Sequence, residues 1–126
     1  MSFISSLKEE KMPKYTNKEL SVKQETDIAK LYSGKRSPSS GAQPHDRGDV
    51  RYEIHLSDNF KYTAECKVTR ARSFNLLKGT WDKIKEEAAE QDRRPCMFVR
   101  FYDGHSGRYE DLIIRSVDDD REMFLH

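Results

Sequence analysis

Cysteine is scarce in this chain. Only Cys66 and Cys96 occur, with no C-x-x-C pair and no Cys/His cluster, so zinc sites of the usual spacing are excluded. Both cysteines sit in apolar, strand-like runs, where the side chain acts as a small hydrophobe. They read as structural core thiols of a reducing cytoplasm, in preference to a disulfide. Long apolar runs are also missing. Met1 to Leu7 is far too short for a signal peptide or a membrane span. Hydrophobic residues make up 35% of the 126 residues and charged residues 36%, which allows one modest core in a single domain. Neither sign of charge prevails. A formal net charge of +1 argues against a polycationic coat protein while leaving room for a local basic face. There is no internal repeat.

What is present is a readable order of elements. Residues 1–15 are polar and without period, and read as a flexible or accessory arm preceding a domain over residues 16–126. Thr16 and Glu19 have the spacing of a capping box. The apolar positions Leu20, Val22, Ile28, Ala29 and Leu31 then predict a helix that ends near Ser33-Gly34, with glycine as the left-handed terminator. Lys35 to Gly48 is a Ser/Pro/Gly-rich loop with a short strand at Lys35-Arg36. Val50–Leu56 and Phe60–Lys67, separated by Ser57-Asp58-Asn59, predict a β-hairpin. Phe74–Asp92 predicts a second helix with Leu76, Leu77, Trp81, Ile84 and Ala88 on its buried side, stopped by Arg93-Arg94-Pro95. Strands are expected at Cys96–Tyr102 and Arg108–Ser116, and a short edge strand at Met123-Phe124-Leu125. This order predicts an α/β domain with a central mixed sheet flanked by helices.

The chemistry centres on Asp49, Glu65 and Lys67. In a hairpin turning near Asp58, Asp49 and Glu65 fall at the same end of the ribbon. Side chains on one face of a strand repeat every second residue, so Glu65 and Lys67 share a face and Cys66 points into apolar packing. Two carboxylates, with the Cys66 carbonyl as a third oxygen, suit a hard divalent metal such as Mg2+, with Mn2+ as a substitute. A lysine beside them can orient an attacking water and offset developing negative charge, as phosphodiester hydrolysis requires. Basic residues lie nearby in sequence: Lys35, Arg36 and Arg47 before Asp49, and Arg70 and Arg72 after Lys67. Acidic residues collect at Glu86, Glu87 and Glu90 and at Asp118–Asp120, and are expected to face away.

Four runs occur in a set order: Gln24-Glu25-x-x-Ile28-Ala29-Lys30, Arg36-x-x-Ser39-Ser40-Gly41-Ala42, Gly48-Asp49-Val50 and Ala64-Glu65-Cys66-Lys67-Val68-Thr69. Together they resemble the PD-(D/E)xK nuclease superfamily, and within it the archaeal-type and phage Holliday junction resolvases. The resemblance spans roughly residues 21–116. It implies a restriction-endonuclease-like fold and a metal-dependent endodeoxyribonuclease that resolves four-way junctions in DNA recombination and repair. By the same resemblance Asp49 and Glu65 match the metal-binding pair and Lys67 the catalytic lysine. Glu25 matches a first-helix carboxylate that reaches the metal, directly or through water, with Glu19 and Asp27 as rivals. Ser39, Ser40 and Gly41 match a loop that touches the DNA backbone. Gly48 stands where the family motif has proline.

The implied partners are branched DNA and a second copy of the chain, because two matched incisions call for two sites on a symmetric dimer. Phe98, Phe101, Tyr102 and Trp81 are interface candidates, though such residues more often belong to the core. The implied setting is the cytoplasm of a bacterial, archaeal or phage-infected cell, with no membrane partner. Rival readings are a restriction- or repair-type endonuclease on the same fold, a non-catalytic DNA- or partner-binding protein, and a phage-like regulator of a host protein.

Overall fold

The computed structural model describes residues 15–37 and 49–125. The expected arm, apart from Tyr15, and the loop residues Ser39, Ser40, Gly41 and Arg47 lie outside the described residues. The elements are α1 (Asn17–Leu31), β1 (Lys35–Arg36), β2 (Val50–His55), β3 (Asn59–Thr69), α2 (Lys78–Glu90), β4 (Arg94–Tyr102), β5 (Tyr109–Ile114) and α3 (Val117–Phe124). The strands form one five-stranded sheet in the order β1-β2-β3-β4-β5. All neighbours are antiparallel except β3 and β4, which run parallel and are connected through α2. A single small α/β domain with a mixed sheet and, among the described residues, three helices is therefore the architecture. No described helix is long and apolar enough to cross a membrane.

Strand alternation divides the core into two layers. On one sheet face Val50, Tyr52, Phe60, Tyr62, Ala64, Cys66, Cys96 and Phe98 pack with Ile28 of α1, and Met123 of α3 joins them. On the other face Met97 and Val99 pack with Ile84 of α2, bordered by Trp81, Phe101 and Ile114. Both cysteines are free and buried, as expected, and the Cys96 thiol lies 3.3 Å from the Tyr52 hydroxyl.

Helix α1 starts at the expected capping box: Thr16 Oγ1 accepts from Glu19 N–H, and Glu19 Oε1 accepts from Thr16 N–H. Its buried stripe differs from the apolar reading. Leu20, Gln24, Glu25 and Ile28 are buried, whereas Leu31 is 72% exposed. Polar residues occupy core-facing positions, so the apolar residues alone do not mark the true face.

The helix ends in a Schellman motif in which Gly34 N–H bonds Ala29 O at 2.7 Å. The left-handed residue is Ser33 (φ 54°), not the glycine. Gly34 is needed for close approach instead, since a Cβ there would lie 2.3 Å from Arg51 O. Helix α2 closes the same way, with Asp92 left-handed (φ 55°) and Arg93 N–H bonding Ala88 O at 2.9 Å.

Three expectations are corrected. Helix α2 begins at Lys78, and Leu77 is its exposed N-cap, not a buried contact. Pro95 does not lie outside the sheet, because β4 already pairs with β3 at Arg94 and Pro95 is its second residue. Met123-Phe124-Leu125 is not an edge strand. Ser116 Oγ caps a helix there by accepting from Asp119 N–H at 3.1 Å, and three aspartates favour its positive N-terminal end.

Ion pairs tie the helices of the first face to the sheet. Arg100, 2% exposed, bonds Asp27 of α1 and both carboxylate oxygens of Asp111 of β5, and stacks on Tyr109 at 3.6 Å. Arg94 bonds Asp119 and Glu122 of α3, and Tyr62 Oη donates to Asp119 at 2.7 Å.

Replacing Gly34 by Ala is expected to lower stability by about 1–3 kcal/mol, since the added methyl meets main chain on β2. Chemical denaturation checks this. An unchanged midpoint would mean that the α1–β2 contact can open freely.

Candidate functional site

Strand β3 continues past the start of β2, and the site forms at that step. Val50 is the first β2 residue in the ladder, opposite Ala64. Asp49 precedes it, with its N–H on Ala64 O at 2.9 Å and its Oδ2 accepting from Cys66 N–H at 2.7 Å. The carboxylate thus takes the ladder position that a further β2 residue would have filled. A strand residue directs its N–H and C=O to the same edge, so the Cys66 carbonyl also faces this step. Glu65 lies across from Asp49, and Lys67 Nζ is 3.5 Å from Glu65 Oε1. Asp49 and Glu65 at one end of the hairpin, Glu65 and Lys67 on one face, and Cys66 turned inward all stand as expected.

Glu25 approaches from the opposite layer. Its neighbour Gln24 is fully buried and donates from Nε2 to Lys67 O at 3.1 Å and Phe98 O at 3.2 Å, which pins α1 over the parallel pair. Glu25 is thereby held near Asp49 and ion-paired to Arg36 at 3.1 Å. The rival α1 acids are engaged elsewhere: Glu19 in the capping box, and Asp27 on Arg100 and Lys23.

The electrostatics register this crowding. Burial first, and the Asp49 carboxylate second, push the Glu65 carboxyl up to about 7; Lys67 opposes this and Glu87 reinforces it. Burial and then Asp49 also raise Glu25, with Arg36 acting the other way. The Cys66 thiol is raised by burial and by Asp49, Glu25 and Glu65, so all three carboxylates surround this one residue.

Glu87, expected to face away from the site, sits on α2 close enough to act on Glu65. The available signal is its helical phase, three residues after Ile84 and one before Ala88. Asp119, in the C-terminal acidic run, is buried against Tyr62 and Arg94.

The donor set is all oxygen and carries excess negative charge, which matches what a hard divalent cation prefers. Among the described residues no group of three or more His, Cys, Asp or Glu side chains could hold a metal ion. The fit therefore rests on the Asp49–Glu65 pair with main-chain oxygen, and Glu25 stands outside it on Arg36.

The basic residues separate. Lys35 is exposed on β1 and Arg36 faces Glu25. Arg70 and Arg72 lie beyond the end of β3, in an open cleft of about 860 Å³ with Phe101, Tyr102 and His105. There Arg70 also bonds Tyr15 O at 2.7 Å and the Asn17 side chain, which ties it to the start of α1. Of the interface candidates, Phe98 and Tyr102 are buried, and Trp81 and Phe101 are packed against the second core layer.

Comparison with protein-family models, with curated proteins and with solved structures gave no match.

The Glu65 shift has a signed consequence. Its folded value lies above the ordinary 4.5, so the folded state holds the proton more tightly. The stabilisation is complete below about 4.5 and is lost as pH rises through about 7. Relative to Glu65→Gln, the native chain is expected to lose on the order of 2–3 kcal/mol between pH 5 and pH 8. Urea unfolding at both pH values measures it, and parallel pH profiles for the two proteins would show that Glu65 is not perturbed.

Proposed function

We propose that this protein is a metal-dependent endodeoxyribonuclease with a restriction-endonuclease-like fold, acting on branched DNA such as four-way junctions. The observation that carries the reading is the step between β2 and β3. It gathers Asp49, Glu65 and Lys67 at one point, where burial and the Asp49 carboxylate raise the proton affinity of Glu65. Such a cluster is costly in isolation and is relieved by a cation.

Asp49, Glu65 and the Cys66 carbonyl would hold Mg2+, or Mn2+ in its place, which when bound acidifies water and stabilises charge on a phosphate. Asp49 is oriented for this by the Cys66 N–H, which fixes one carboxylate oxygen. Lys67 is 47% exposed, so its ammonium can leave Glu65 to hold a water or a phosphate oxygen. Glu25 contributes negative potential behind Asp49, and Arg36 favours the ionised form of that glutamate. Arg70 and Arg72 at the end of β3 would hold the sugar-phosphate backbone without reading bases. A symmetric pair of copies, as paired incision requires, would meet at the β5 edge. There Tyr109, Leu112 and Ile113 are 46%, 45% and 39% exposed, unlike the buried Phe98 and Tyr102.

Cleavage of a labelled four-way junction, a fork and a linear duplex with Mg2+ tests the reading. Asp49→Asn, Glu65→Gln and Lys67→Met are each expected to slow junction cutting by about 10²–10⁴-fold, with metal-free binding retained. Equal cutting of all three DNAs would favour a restriction- or repair-type enzyme. Cutting that survives Glu65→Gln would remove the site altogether.

A further inference from the structure

A second cleft opens on the sheet face that carries Glu65 and Lys67. It has a volume of about 460 Å³ and lies between the β1–β2 edge and the turn from α2 into β4. Register puts its charges in line. Lys35 pairs with Arg51, and Arg51 pairs with Thr63, two residues before Glu65. All of these side chains share one face by strand alternation. Arg93 enters from the other wall, its main chain fixed by the α2 terminus through the bond to Ala88 O.

Among the described residues the cleft therefore holds Lys35, Arg51 and Arg93, with His55 beside them and Glu53 as the one acid. Glu53 is itself shared with His55 at 3.7 Å. Arg93 Nη1 bonds Tyr62 O at 3.0 Å, which aims the guanidinium along the sheet toward β2. Burial first and the nearby Arg51 second lower its proton affinity, with Glu53 opposing, so the two guanidinium groups lie close enough to repel each other. Both adjoining helix ends are closed by their own main-chain bonds.

We infer that this cleft is a second anion site, in which Arg51 and Arg93 hold a backbone phosphate of the nucleic acid strand that crosses Glu65 and Lys67. Paired guanidinium forks match phosphate oxygens, and the cleft is large enough for a nucleotide unit. With the Arg70–Arg72 cleft at the end of β3, it gives the strand a basic contact on each side of the carboxylates. The choice of a phosphodiester rests on the proposed function, whereas the anion site itself does not.

The test is binding of a fluorescein-labelled four-way junction in EDTA, across a salt series. The Arg51→Gln/Arg93→Gln double variant is expected to lower the slope of log Kd against log salt by roughly 1 unit, about 0.9 for the one phosphate no longer neutralised. Arg51→Gln alone leaves the Arg93–Tyr62 bond intact and is expected to lower the slope by about 1, while Arg51→Lys restores it. Arg121→Gln on α3 is expected to change nothing. A folded Arg51→Gln protein with unaltered slope and Kd would overturn the inference. So would polyglutamate competing as well as DNA at equal charge, which would assign the cleft to an acidic protein. A junction bound through this cleft but never cut keeps the inference and removes the proposed function. Glu65-dependent cutting with unaltered binding in the double variant does the reverse.

Discussion

Strand β3 is longer than its neighbour β2, and the 2.7 Å bond from Cys66 N–H to Asp49 Oδ2 closes the edge left over. A buried amide left without a partner in a central strand costs about 1–3 kcal/mol. Asp49 meets that need with a side chain where main chain has run out. The exchange leaves a carboxylate at the step, and Glu65 across from it. Strand alternation turns Cys66 inward at this step and sets Glu65 and Lys67 on the other face, where burial and the Asp49 carboxylate drive Glu65 to about 7.

The rest of the fold holds that step in place from both layers. Gln24 anchors α1 to the carbonyls of Lys67 and Phe98, across the parallel β3–β4 pair. Its Oε1 is buried without a partner among the described residues, so the anchor carries some cost in polar satisfaction. Arg100 adds a buried link from β4 to Asp27 of the same helix and to Asp111 of β5. Such charges are expensive to desolvate and are weak sources of net stability. Their effect here is to set the helix at one rotation, which decides that Glu25 and not Glu19 or Asp27 comes near Asp49. On the far layer α2 brings Glu87 toward Glu65, while its terminus delivers Arg93 to the β1–β2 edge.

The hairpin is legible in the sequence because alternation over β2 and β3 is clear and the turn residues between them are distinctive. Helix α1 is legible at its start, where the Thr16–Glu19 box acts locally, but not in its buried face. Gln24 points inward because its partners lie 43 and 74 residues away in sequence. Helix α3 is hidden because its signal is a Ser116 cap and an aspartate run, while Met123-Phe124-Leu125 imitates an apolar edge. The Ser33-Gly34 ending falls where glycine suggests, yet for a different reason, since Gly34 answers to Arg51 O and not to a left-handed angle.

By itself the sequence determined what acts over a few residues: the order of elements as far as β5, the mixed α/β class, the shared end of Asp49 and Glu65, and the shared face of Glu65 and Lys67. These depend on strand period, capping and turn chemistry, which are local. Only the tertiary structure decided which acids and bases from distant elements meet there. It paired Glu25 with Arg36, moved Glu87 inward, tied Arg70 to the start of α1, and set Arg51 against Arg93. Charge interactions act through space at ranges set by packing, and no spacing along the chain encodes that distance.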